Sequence, residues 1–149
     1  IGPIQSNKTK AIAENFQWVH SIDRLKIAQR LNDQREPSAT KLNVCVQVKI
    51  SQEMNKSGVE LGEAEALCDS IEALPNLHLR GLMAIPAAEP DPHSQRIAFR
   101  ALAQEYFRLK PRYTQLDTLS MGMSNDFEAA IAEGSTLIRI GTGIFGPRS

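Results

Sequence analysis

The residues best able to do chemistry in this sequence lie between Ser124 and Gly146. There Gly141, Gly143 and Gly146 follow the apolar run Leu137-Ile138-Arg139-Ile140. Their spacing matches G-x-G-x-x-G, the fingerprint of a dinucleotide-binding turn. We set that reading aside. The fingerprint opens a long helix in the first strand–helix unit and wants an acidic residue about 20 positions later, whereas three residues follow Gly146. The glycines still have a physical meaning, because bare backbone N–H groups at 141–143 can approach an anion closely. One unit earlier, the strand ending Ser120-Met121-Gly122-Met123 runs into Ser124, where a helix is predicted to start. A helix N-terminus offers unpaired N–H groups and a positive dipole end, and a hydroxyl adds a donor. Ser124 has a second reading as a simple N-cap, and the glycines a second reading as a turn. The pairing of the two at adjacent strand ends favours a phosphate site, since barrels often bind phosphate at the ends of their last two strands.

Arg139 lies between apolar residues in a short strand, and a buried guanidinium needs partners. Two readings stand: an ion pair with a carboxylate such as Asp117, or a ligand contact. The ligand reading follows from alternation, because Arg139 and Gly141 fall on one side of the strand. The remaining polar residues give weaker signals. His20, His78 and His93 share no metal-ligand spacing, and His93 is read as a cap or a solvated residue. Lys56 follows a strand and is placed near the mouth of the site. Gln5-Ser6-Asn7-Lys8 also follow a strand end and are candidates for the same face. Met83 reads as barrel core. No Ser/His/Asp or Cys/His set suggests a nucleophilic triad.

Something must hold these strand ends together, and the pattern is an alternation of short apolar runs with amphipathic stretches. Strands are predicted at 17–22, 42–50, 77–85, 116–121 and 137–140, with Ile1-Gly2 as the end of another. Helices are predicted at 7–16, from a cap at Asp23 to Gln34, at 60–74, from His93 to Leu109 with Ile97, Ala101, Tyr106 and Leu109 along it, and from Ser124 or Asn125 to Gly134. This is the signature of a parallel α/β protein, either a doubly wound sheet or a (β/α)8 barrel. A complete barrel takes about 250 residues. At 149 residues, the barrel reading expects N-terminal units that precede Ile1.

Composition narrows the partners. Lys+Arg and Asp+Glu both number 17, so the formal charge is zero, which argues against nucleic acid and anionic membranes. No run is long enough for a membrane span and no secretory leader is visible. Cys45 and Cys68 have no metal or redox spacing and read as free buried thiols of a cytoplasmic protein.

Six segments carry a resemblance: IGPIQSNK at 1–8, HSID at 20–23, NKSG at 55–58, RGLMAIP at 80–86, LSMGMSNDFEAAI at 119–131 and IRIGTGIFG at 138–146. Together they resemble the pyridoxal-phosphate homeostasis protein family, also described as proline synthetase co-transcribed homologues, over essentially the whole chain. The resemblance implies a (β/α)8 TIM-type barrel similar to the alanine racemase N-terminal domain. Residues 1–149 would be a single domain supplying its last five to six units. It implies pyridoxal 5′-phosphate (PLP) as cofactor, with Met123, Ser124, Arg139, Gly141 and Thr142 as its binding set. In that set Ser124 gives a hydroxyl to the phosphate, Gly141 and Thr142 give backbone and hydroxyl donors, and Arg139 meets the pyridine nitrogen. The family's Schiff-base lysine lies on its first strand and matches no lysine here, so no catalytic residue is assigned. The implied role is a non-enzymatic carrier or buffer in vitamin B6 and amino-acid balance, monomeric at full length, with PLP-dependent apo-enzymes as partners. The alternatives are a racemase of the alanine-racemase type, which needs a tyrosine from a second domain, and a barrel enzyme for another phosphorylated ligand.

Overall fold

The computed structural model describes residues 1–51 and 57–147. In chain order the elements are α1 (Thr9–Asn15), β1 (Trp18–Ile22), α2 (Leu25–Gln34), β2 (Leu42–Gln47), α3 (Ala64–Glu72), β3 (Leu77–Met83), α4 (Pro92–Leu109), β4 (Thr118–Met123), α5 (Phe127–Ala132), β5 (Leu137–Arg139) and α6 (Thr142–Phe145). The five strands are parallel and lie side by side in sequence order. A doubly wound sheet reverses its strand order at a switch point. This sheet never reverses, so it curls as barrel strands do. Neighbouring strands lie about 4.8 Å apart, which would put β1 and β4 roughly 14 Å apart in a flat sheet. Yet His20 on β1 and Ser120 on β4 share a hydrogen bond of 2.8 Å. The sheet is therefore a half-barrel, and its concave side carries polar side chains.

The convex side carries the apolar core. Ile27, Ala28 and Leu31 of α2, Leu67 and Ile71 of α3, and Phe99, Leu102, Tyr106 and Leu109 of α4 pack on Val44, Val46, Leu79, Leu82 and Leu119. The stripe on α4 recurs at three and four residues, which is the helical period. Of the expected positions, Tyr106 and Leu109 belong to this stripe, whereas Ala101 is only partly buried. Ile97 is 54% exposed, because the face packed on the sheet runs through Phe99, Leu102, Tyr106 and Leu109; Asp91 caps the helix through the Ser94 N–H at 2.8 Å. Arg35, missed in the sequence, is 5% exposed and donates to the carbonyls of Ala13 (2.5 Å), Phe16 (2.7 Å) and Thr40 (2.8 Å). It closes the C-terminal end of α1 and braces the entry to β2.

Several expected boundaries are corrected. Asp23 does not cap α2; its carboxylate takes the Arg24 guanidinium at 2.7 Å instead, while Arg24 also reaches Ile4 O. Ile1 and Gly2 lie outside the sheet, so there are five strands among the described residues. Neither Ser124 nor Asn125 caps α5, which begins at Phe127 after Asp126. The Asp126 carboxylate is drawn back to the Met123 N–H at 2.6 Å, and the intervening residues become a turn.

Helix α5 is fastened to α4 by Glu133, whose carboxylate receives Arg96 at 2.7 Å and Arg100 at 3.0 Å. Hydrogen bonds from Arg100 and then Arg96 hold this carboxyl down at about 2. A group depressed in this way stabilises the fold above its ordinary pKa, and the contribution is lost as pH falls toward 2. Both arginines are half in solvent, so screening keeps the effect small. Glu133→Gln is expected to lower Tm by no more than about 3 °C at pH 7. In thermal melts the gap to wild type should close near pH 2, and a gap independent of pH would contradict this assignment.

Candidate functional site

The C-terminal ends of β3, β4 and β5 open on a cleft of about 1160 Å³, lined among others by Met123, Ser124, Arg139, Gly141 and Thr142. All five residues expected from the sequence thus face one space. Beyond β4, the Asp126 bond to Met123 N–H folds Ser124 and Asn125 into a turn. Ser124 Oγ then accepts the Gly143 N–H at 3.0 Å. The two strand ends are joined directly, and the Ser124 hydroxyl hydrogen is left to donate elsewhere. Beyond β5, Gly141 precedes α6. Its carbonyl accepts Ile144 and Phe145 N–H at 2.9 Å, whereas the N–H groups of Gly141 and Thr142 find no acceptor among the described residues. A Cβ on Gly141 would meet nothing within 4 Å, so packing does not require glycine there. Ser124 O–H and these two N–H groups form a set of donors suited to an anion.

The guanidinium of Arg139 spans three strands. Nη1 donates to Ser120 Oγ at 2.7 Å and Ser120 O at 3.2 Å, and Nη2 donates to Ala84 O at 2.9 Å. Nε–H is buried and has no partner among the described residues, a costly state for a cationic donor unless an acceptor arrives. The expected alternative, an ion pair with Asp117, is not formed. Asp117 sits at the start of β4, whereas Arg139 pairs in register with Met123 at its other end. That is about 20 Å along a strand. Asp117 instead takes Arg80 at 2.6 and 2.9 Å, and the Arg80 guanidinium lies 4.5 Å over the Trp18 ring.

Two residues of the site were not singled out from the sequence. Ser120 is buried and links Arg139 to His20. His20 is 7% exposed; burial and then the Arg139 charge push its imidazole down to about 4, so it is neutral at pH 7. Alternation inside β4 would have put Ser120 on the concave face, but its partners come from β1 and β5, and those cross-strand distances are invisible in one strand's pattern. Other expected placements divide. Met83, Cys45 and Cys68 are buried and the two thiols are free. His93 is exposed, and Asp91 does the capping. Gln5–Lys8 do not line the cleft. Lys56 lies outside the described residues.

These features define a parallel half-barrel with a cluster of hydrogen-bond donors and a buried guanidinium at the C-terminal ends of its strands. The chain belongs to the alanine racemase N-terminal domain family, whose model matches residues 1–149. It is 55% identical over 148 residues to the pyridoxal phosphate homeostasis protein of Escherichia coli K12 and spans 99% of this chain but 63% of that relative. Among solved structures it resembles PipY of Synechococcus elongatus PCC7942, determined with PLP bound. There the TM-score is 0.86 and identity 32%, over 98% of this chain and 68% of PipY. Alanine racemase of Clostridium difficile 630 shares the fold at TM-score 0.78 and 16% identity, over 99% of this chain and 41% of the racemase. Among the described residues no helix is long and apolar enough to cross a membrane.

Proposed function

We propose that the chain is part of a single barrel domain that binds PLP and serves PLP homeostasis as a carrier or buffer, without turnover of its own. The observation that carries this reading is the buried Nε–H of Arg139, unpartnered among the described residues, in the same cleft as the Ser124–Gly143 anion cradle. PLP brings what each lacks: a phosphate for the Ser124 hydroxyl and the N–H groups of Gly141 and Thr142, and a ring nitrogen that accepts from Arg139. Met123, 39% exposed, supplies an apolar wall. PipY's bound PLP and the name of the E. coli relative support the same assignment.

Bound PLP supplies an aldehyde and a ring able to withdraw electrons. Arg139 limits the second property, because a guanidinium is always charged and only donates. It keeps the ring nitrogen unprotonated and the electron sink weak, which suits holding the cofactor better than transforming an amino acid. The partners of such a carrier are PLP itself and the apo-enzymes that receive it. A cytoplasmic location agrees with the two free thiols, and the full-length protein is proposed to act as a monomer.

Ser124→Ala tests the cradle. It removes the hydroxyl donor and the acceptor of Gly143 N–H. Losing a hydrogen bond to a charged group costs about 1.5–3 kcal/mol, so PLP retention in the full-length protein should weaken by about 10–100-fold. Gel filtration followed by PLP quantification reads this directly, and undiminished PLP content would overturn the site.

A further inference from the structure

We propose that His20 is a positioning residue for the cofactor, acting on Arg139 through Ser120; this rests on the PLP reading above. The argument begins with donors and acceptors. Arg139 Nη1 can only donate, so Ser120 Oγ accepts it at 2.7 Å. The Ser120 hydroxyl hydrogen then needs an acceptor, and His20 Nδ1 stands 2.8 Å away. The geometry assigns His20 the tautomer with its proton on Nε2, and the chain runs in one direction, from Arg139 to Ser120 to His20. Such a chain works only while Nδ1 is unprotonated.

The surroundings keep it so. His20 faces Arg139 of β5, whose charge disfavours a second cation. On its own strand the Trp18 ring lies 5.6 Å away, with Arg80 of β3 behind it. Among the described residues Ser120 of β4 is its hydrogen-bond partner, and no carboxylate of those residues contributes to its titration. Burial and then the Arg139 charge favour the neutral imidazole across the whole physiological range. His20 is therefore a fixed acceptor. It orients the Ser120 hydroxyl, which locks one end of the guanidinium while Ala84 O holds the other. With both ends held, Nε–H is aimed without freedom to swing, and little ordering is left for binding to complete.

A double-mutant cycle on the full-length holoprotein tests this, read as the PLP dissociation rate and the visible absorption maximum of bound PLP. His20→Leu and Ser120→Ala are each expected to raise the dissociation rate about tenfold and to shift the absorption maximum. The double variant should be no worse than either single one, because both break the same link. His20→Asn presents an amide oxygen in place of Nδ1 and should recover most of the retention lost in His20→Leu; it carries the test if His20→Leu fails to fold. Multiplying effects near a hundredfold, or unaltered retention and spectra in His20→Leu and Ser120→Ala, would overturn the proposal. Absence of PLP from the wild-type protein would instead overturn the reading on which it rests.

Discussion

Gly81→Ala is expected to leave little or no folded protein. Gly81 lies in β3, the middle strand, at the point where its register with β2 shifts between Val44 and Cys45. A Cβ built there would lie 1.6 Å from Thr118 O and 2.6 Å from Thr118 C. Both are backbone atoms of the paired strand β4, so no side chain can turn away to make room. Relief requires β3 and β4 to separate, which breaks the Asp117 N–H bond to Arg80 O at 3.0 Å and disturbs the Gly81–Thr118 pairing. It would also pull Arg80 from Asp117. Overpacking of this kind belongs among the most damaging substitutions, at about 4–5 kcal/mol or more, against a total stability of about 5–15 kcal/mol. Circular dichroism and urea denaturation of the purified variant measure it. A Tm within a few degrees of wild type would show that β4 has slack the structure does not display.

Gly122 shows how the same kind of constraint reaches the site. It has φ +99°, and a Cβ there would come within 2.6 Å of Ala130 Cβ. The residue lets β4 swerve over α5 between Ser120 and Ser124, so one strand delivers both the buried link to Arg139 and the hydroxyl of the cradle. The sequence displayed this strand, but not the swerve. Local pattern identified what depends on near neighbours: the Val-rich β2, the stop at Gly134, and the strand-end residues that line one cleft. It misplaced what depends on competition between partners. Asp23 and Ser124 are both good caps by type, yet Arg24 and Gly143 N–H claim their side chains. Asp117 looked available to Arg139 because a sequence shows which residues are charged without showing which end of a strand they occupy. His20 could be judged only as a metal ligand, since its true partner is 100 residues away.

Arg139 concentrates both kinds of information, and its replacement should have the largest effect on the cofactor. Arg139→Met keeps an apolar stem and deletes every donor. Ser120 O retains Ala84 N–H at 3.2 Å, whereas Ala84 O and Ser120 Oγ lose the donor from Arg139. That should cost the fold about 1–3 kcal/mol. PLP retention should fall further, by about a hundredfold or more, since the ring nitrogen loses a charged donor. Arg139→Lys separates charge from geometry. An ammonium is a point charge on a flexible stem and cannot reproduce a planar fork. It cannot hold Ala84 O and the Ser120 oxygens while also presenting a fixed donor to the cleft. If positioning is what Arg139 contributes, the lysine variant should fold nearly as well as wild type and yet release PLP almost as readily as the methionine variant. If the lysine variant retained PLP like wild type, a positive charge alone would suffice, and the link from His20 through Ser120 would have nothing to position. Dissociation rates measured side by side for the two variants, with thermal melts to separate loss of fold from loss of grip, decide between these accounts.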